Sequence, residues 1–277
     1  MHILQVIVYA IMQGITELFP ISSVGHAVIL PYVFNWTEFT TSDTFLAFVV
    51  MLHLGTGLAL LIYFWRDWVR LIASLFIREM RRERKQLLLI IVATIPAAIL
   101  GKLFEHKLQD LFPHAASAAI FLIVNGFVLL VADRMRRKRK ATRKLEDLSY
   151  GRSFWIGVVQ AFALIPGFSR SGITMTAGLS SGLDYEDSAR FSFLLATPVI
   201  LGAGVLEVPK MLHSHNHQML NYGLIGGLVA GIVALLATAF LMRYFRTTEV
   251  KALRPFGFYC IIVGIIVLLM TILGLHF

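Results

Sequence analysis

Six stretches of this sequence, roughly 44–65, 86–104, 116–133, 187–207, 219–242 and 254–275, are each apolar for about the 20 residues a helix needs to cross a bilayer. No soluble fold can cover them. Hydrophobic residues make up 57% of the chain and charged residues only 15%, against about 25% in an ordinary soluble domain. The same composition, with 21 phenylalanines, excludes disorder, and a single cysteine, Cys260, excludes a disulfide scaffold. Backbone inside a bilayer must satisfy its own hydrogen bonds, so the expected class is an all-α polytopic membrane protein.

Two further apolar regions are broken. Residues 1–42 are interrupted by Gln13, Glu17, Pro20, Ser22, Ser23 and His26, and residues 153–182 by Gln160, Pro166, Gly167, Ser169, Arg170, Ser171 and Gly172. Each reads as two short helices around a polar turn, a re-entrant hairpin rather than a span. The basic residues bear on this choice. Segments 66–85, 134–152 and 243–254 hold 20 of the 25 lysines and arginines. With six spans and two re-entrant hairpins, all three segments fall on one side, which the positive-inside rule assigns to the cytoplasm. A full span at either broken region would separate them. The net charge of +9 therefore reads as loops facing anionic headgroups, with no nucleic-acid partner. Both chain ends fall on the outer side, and the start, lacking a basic n-region, reads as no signal peptide.

The layout is hairpin plus three spans, twice. Residues 1–133 form the first half (hairpin 1–42, spans 44–65, 86–104 and 116–133), and 134–149 a basic cytoplasmic loop. Residues 150–277 form the second half (hairpin 153–182, spans 187–207, 219–242 and 254–275). Three spans per half is odd, so the second half is an inverted repeat of the first. Gln13…Pro20…Ser22-Ser23…Gly25 is echoed by Gln160…Pro166…Ser169-Arg170-Ser171-Gly172. Inverted repeats with broken helices place a site near the midplane, where the breaks meet.

An ionisable group within the bilayer costs at least about 2.5–3.5 kcal/mol on insertion scales. Glu17 and Arg170 need partners, either as a pair pinning the hairpins together or as the lining of one polar cavity. Gln13 and Glu17 are four apart on one helical face. Pro20 is expected to end that helix, and Ser22 or Ser23 to cap the next, whose N-terminus would suit an anion. His26 lies about one turn past Ser23 and is expected to face the same ligand as a proton-transfer group. In Pro166-Gly-Phe-Ser169-Arg170-Ser171-Gly-Ile-Thr174, hydroxyls, a guanidinium and glycines make a phosphate cradle.

Gln13-x-x-x-Glu17 with Pro20-x-Ser-Ser-x-Gly-His26, followed by Pro166-Gly-Phe-Ser-Arg-Ser-Gly-Ile-Thr174, resembles the bacterial undecaprenyl-diphosphate phosphatases of the bacitracin-resistance type. The resemblance runs over nearly the whole chain in length and span order. It implies an enzyme of the bacterial inner membrane that removes the terminal phosphate of the C55 carrier lipid, recycling it for peptidoglycan synthesis. It implicates Glu17, Ser23, His26 and Arg170 in catalysis, and Gln13, Ser22, Ser169, Ser171 and Thr174 in holding the phosphates. It also implies a divalent cation, Mg²⁺ or Ca²⁺, bridging Glu17 and the diphosphate. Position 13 takes Glu or Gln in that family; Gln13 here leaves one carboxylate in the motif. The site is expected to open to the outer, periplasmic face. The partners implied are the substrate lipid and membrane lipids, with a homodimer left open.

The nucleophile is then Ser23, activated by His26 or Glu17, or a water activated by one of them. A lipid or anion transporter is the rival reading, since broken helices in inverted repeats are transporter architecture; a carrier has no need of a Ser/His/Glu group. His213-Ser-His-Asn-His217 reads as a solvated loop, Trp36, Trp65, Trp68 and Trp155 as interfacial anchors, and Cys260 as span packing.

Overall fold

The computed structural model describes residues 2–36, 44–103, 114–138, 143–213, 217–248 and 251–276, and every regular element among them is helical. In chain order these are α1 (Ile3–Thr16), α2 (Ser23–Val33), α3 (Thr44–Tyr63), α4 (Trp65–Ala73), α5 (Arg81–Leu103), α6 (Ala115–Lys138), α7 (Tyr150–Gln160), α8 (Arg170–Ser180), α9 (Tyr185–His213), α10 (His217–Thr247) and α11 (Arg254–Leu273). Short 3₁₀ turns occupy Leu145–Asp147 and Ala161–Leu164. The His213–His217 run falls mostly outside the described residues.

Among the described residues five segments are long and apolar enough to cross a membrane: Arg81–Leu103, Ala115–Arg136, Tyr185–Val205, Leu220–Thr247 and Arg254–Leu273. A sixth is counted when Phe48–Tyr63 and Trp65–Ala73, which meet at 72°, are taken as one broken span. The chain bends there because Arg66, Asp67 and Arg70 interrupt the apolar run while Leu71 stays buried and Trp65, Val69 and Ile72 are exposed. That is the pattern of a helix lying along an interface. Several spans extend into their basic flanks, as α5 does by starting at Arg81, because arginine stems reach along apolar surface to polar surroundings.

Helix α9 lies at the centre. Its Phe191, Phe193, Leu194 and Leu195 are fully buried, and it packs on α3, α5, α8 and α10. Helix α3 pairs with α10, and α6 with α11. The first pair is close enough to require glycine: a Cβ on Gly55 would lie 1.9 Å from the Gly227 carbonyl oxygen. Small residues allow such approach where lipid supplies no hydrophobic drive between helices. Leu228, Leu236 and Ile262 point outward from the bundle and form an apolar exterior fit for lipid.

The two short-helix pairs, α1–α2 and α7–α8, are wedged into this frame. Helix α1 packs on α10, and α7 on α5. The stretch expected as a basic loop is partly ordered into the fold. Helix α6 continues to Lys138, and Leu145 and Leu148 are buried. Leu145 N donates to Asp187 Oδ2 at 3.2 Å, and Lys85 Nζ to the Glu146 carbonyl at 2.7 Å. Two leucines seven and ten residues beyond Lys138 are what draw the segment back onto the core. At the C-terminal end of α6, buried Asp133 accepts from Tyr185 Oη (2.8 Å), Leu253 N (3.3 Å) and Arg254 Nε (2.9 Å), tying α6, α9 and α11 together.

Candidate active site

Helix α1 ends at Thr16, before Pro20, which sits in the turn that follows. Ser22 caps α2: its Oγ accepts from Gly25 N at 3.1 Å. Ser22 also has φ 72°, a left-handed conformation that costs a non-glycine residue roughly 1–3 kcal/mol. The cost is offset locally, because the Ser22 carbonyl accepts from His26 N at 3.2 Å and from His26 Nδ1 at 2.7 Å.

The second turn is built the same way. Ser169 caps α8 and accepts from Gly172 N at 3.1 Å, so Arg170 is the first helical residue. The turns touch. A Cβ on Gly25 would lie 2.9 Å from the Gly167 Cα, and Gly167, at φ +104°, leaves no space for a Cβ of its own, 2.4 Å from the Ala118 carbonyl oxygen. Asn125 of α6 clips them together, its Nδ2 donating to the Pro20 carbonyl at 3.0 Å while its Oδ1 accepts from Ser169 N at 3.1 Å. Ser169 and Ser171 both donate to the Phe19 carbonyl, at 3.5 and 3.0 Å.

Glu17 is the centre of the assembly and is buried. Its Oε1 accepts from Arg170 Nη2 at 2.8 Å. Its Oε2 accepts from Ser23 Oγ at 2.6 Å and Gln13 Nε2 at 3.1 Å, with His53 Nε2 at 3.3 Å. The Ser23 contact is at the short end of hydroxyl–carboxylate bonds, as charge assistance predicts. Arg170 also donates through Nη1 to the Ser192 carbonyl at 3.3 Å, and Thr174 shares a 2.6 Å hydrogen bond with the Ser192 hydroxyl behind it. The arrangement is a serine held by a buried carboxylate, next to a guanidinium at a helix N-terminus. It can activate a hydroxyl and hold an anion side by side.

The family model described as Bacitracin resistance protein BacA matches residues 6–266, which include both turns and every residue of this cluster. The chain belongs to the BacA family. It is 48% identical to undecaprenyl-diphosphatase 2 of Chromobacterium violaceum, over 97% of this chain and 99% of the relative. It is 45% identical to undecaprenyl-diphosphatase 2 of Oenococcus oeni, over 97% and 98%. Against the undecaprenyl-diphosphatase of Granulibacter bethesdensis the identity is 47%, over 96% and 95%.

In this BacA-family chain, Gln13, Glu17, Ser23 and Arg170 converge on one carboxylate, whereas other residues singled out in the sequence lie differently. His26 was expected to share a ligand with Ser23. In this conformation its ring bridges the Ser22 carbonyl and Tyr259 Oη, at 2.7 and 2.8 Å, and stacks on Tyr259. The carbonyl of the capping residue takes Nδ1 as well as the His26 amide, and Ser23 gives its hydrogen bond to Glu17. Ser22 and Ser169 are caps, Ser171 serves the Phe19 carbonyl, and Thr174 braces Ser192. Of the second motif, Arg170 is the residue whose side chain meets Glu17 directly.

Sequence reasoning passed over His53, Asn125, Ser192 and Tyr259. The first two carried a signal, being strongly polar residues in the interior of otherwise apolar spans. As for the cation, no three His, Cys, Asp or Glu side chains cluster among the described residues, and Glu17, the one carboxylate here, is engaged by Arg170, His53 and Ser23. This donor set does not make a resident cage for a hard cation, which takes six or more oxygens.

Proposed function

We infer that this protein is a membrane phosphatase that hydrolyses undecaprenyl diphosphate to undecaprenyl phosphate and inorganic phosphate. The observation that carries the reading is the 2.6 Å bond from Ser23 to Glu17, set beside Arg170 in a fold whose apolar exterior suits a prenyl chain. The names of the relatives point to the same substrate, and the family description to bacitracin resistance.

The prenyl chain stays in lipid while the diphosphate enters between the two turns. Arg170 exchanges part of its hold on Glu17 for phosphate oxygens, neutralising charge that spreads over the transferring group. Ser23 Oγ attacks the terminal phosphorus as its proton passes to Glu17 Oε2. The bond from that phosphorus to the bridging oxygen breaks, and undecaprenyl phosphate departs. Glu17 passes that proton to the departing phosphate oxygen; water then attacks the phosphoserine, giving a proton to the freed Glu17 carboxylate, which returns it to Ser23 Oγ as inorganic phosphate leaves. A divalent cation, Mg²⁺ or Ca²⁺, would be held mainly by the oxygens of the diphosphate itself and would neutralise part of its charge.

The same reading places the chain in the bacterial inner membrane with the site open to the outer face, on the distribution of lysine and arginine alone. It takes the two halves as inverted repeats. In support, α1 lies on α10 through Gly14 and Ala230, and α7 lies on α5 through Gly157 and Ala93, a reciprocal arrangement. The test is phosphate release from C55 diphosphate by the purified protein in detergent, followed by a search for phosphoserine at Ser23 after rapid acid quench. Release by the protein, absent in Ser23→Ala, is expected. No release with or without Mg²⁺ or Ca²⁺ would end the phosphatase reading and return the transporter to first place.

A further inference from the structure

We propose that His53 of α3 is a positioning residue of the reaction, anchoring the Glu17 carboxylate to the span framework so that Oε2 stays on Ser23 while Arg170 turns to the diphosphate. This rests on the reading of the site as a diphosphate hydrolase.

His53 is itself fixed. Its Nδ1 lies 2.8 Å from the Val49 carbonyl, one turn back on α3. A carbonyl only accepts, and so does a carboxylate oxygen, so both ring nitrogens carry protons: the imidazolium is oriented by Val49 with Nε2 donating towards Glu17, 3.3 Å from Oε2. Helix α3 is in turn held against α10 at Gly55 and Gly227, where no side chain intervenes. The imidazole is thus presented by a rigid part of the bundle.

The other partners of Glu17 cannot do this throughout a turnover. Arg170 has the diphosphate to serve. Ser23 stops being a donor when its proton is lost. Gln13 sits four residues before Glu17 on α1 and moves with it. His53 is the partner of Glu17 that belongs to neither broken helix and has no duty to the substrate. Loss of the anchor should therefore leave substrate binding in place and misdirect the base.

The experiment compares His53→Leu and His53→Gln with the wild type, alone and in a Glu17→Gln background, measuring kcat and KM for phosphate release from C55 diphosphate in detergent. Gel filtration and thermal unfolding accompany each variant. His53→Leu is expected to lower kcat by roughly 10²-fold with KM little changed, the scale of effect that misplacing a reacting group produces. His53→Gln, which keeps a donor at that end of the side chain, should recover most of the loss. In the Glu17→Gln background His53→Leu should add nothing, since residues acting as a unit are not additive. Wild-type kcat in a folded His53→Leu protein would overturn the proposal, and so would a full further loss in the Glu17→Gln background. A wild type that releases no phosphate would instead overturn the phosphatase reading beneath it.

Discussion

Among the described residues two buried carboxylates are paired with arginines, and the pairs are built for different ends. Asp133 meets Arg254 at 2.9 Å, and its other partners are a tyrosine hydroxyl and a backbone amide, Leu253 N. Glu17 meets Arg170 at 2.8 Å, and its other partners are the side chains of Ser23, Gln13 and His53. A carboxylate fixed by backbone and by a weakly acidic phenol cannot change partners without unpicking a helix junction, so it acts as a lock. A carboxylate ringed by side chains, one of them an alcohol at 2.6 Å, can exchange a proton and release its arginine to a ligand. The distance between the charges is nearly the same in both. What separates site from lock is whether the remaining partners are able to move or react.

The largest effects should come from the pair that can react. Glu17→Gln and Ser23→Ala are expected to lower kcat for phosphate release by about 10²–10⁴-fold, the range associated with a lost general base or nucleophile-activating group. Both proteins should elute as the wild type does on gel filtration. The corresponding change at the lock, Asp133→Asn, should leave kcat per folded molecule unaltered and show itself in the thermal transition. If Glu17→Gln retained wild-type turnover, the two pairs would be of one kind and both structural.

Lysine in place of arginine sharpens the comparison at a smaller scale. Arg170 divides its guanidinium between Glu17 and the Ser192 carbonyl, which a point charge cannot do. Arg170→Lys should cost about 10²-fold in kcat, comparable to removing one donor from a charge-stabilising site. Arg254→Lys preserves the charge beside Asp133 and should leave turnover at the wild-type value. Removing the charge, Arg254→Met, strands a buried carboxylate and should cost roughly 3–5 kcal/mol of stability, read from denaturant or thermal unfolding in detergent. Activity of the folded fraction should persist. A loss of turnover in Arg254→Met without loss of stability would mean that the lock communicates with the site.

The same contrast shows why the sequence was informative at some positions and silent at others. Glu17 and Arg170 were legible because a charge beside a helix break in an apolar segment demands a partner. Five of the expected spans were legible from length and composition, and the helix α4 that follows the bend at the end of α3 was not foreseen, since Arg66, Asp67 and Arg70 make its stretch read as a basic loop. His53 and Asn125 escaped because neither lies at a polar turn: both are carried by the apolar interiors of α3 and α6, which reach the turns from the side. The serines were legible only as a pair of possibilities. A hydroxyl next to a helix start suits a cap and a phosphate equally well, and only the carbonyl of Phe19, supplied by the other half of the chain, decides for Ser171. Gln160 echoes Gln13 in sequence, yet it has Leu164 where Gln13 has Glu17, and both of its buried amide atoms lack hydrogen-bond partners among the described residues. The resemblance between the two turns is one of shape, and the acid belongs to the first alone.

The smallest expected effect concerns His26, which lies beside the reacting pair without touching it. Its ring is held by the Ser22 carbonyl on one side and Tyr259 on the other, and Ser22 is the strained residue that sets the start of α2 and hence the place of Ser23. In that geometry the neutral ring donates through Nδ1 and accepts at Nε2 from the tyrosine hydroxyl. Tyr259→Phe removes one hydrogen bond, worth about 1 kcal/mol, and should slow turnover by no more than about tenfold. It should do so without changing the amount of phosphoserine trapped at steady state relative to turnover, because both chemical steps depend on the same placement of Ser23. His26→Asn keeps a donor for the Ser22 carbonyl and should be milder than His26→Ala. If Tyr259→Phe instead abolished activity as fully as Ser23→Ala, His26 would have to turn from Tyr259 towards the phosphate during the reaction, and the site would contain a second acid–base group that this conformation keeps in reserve.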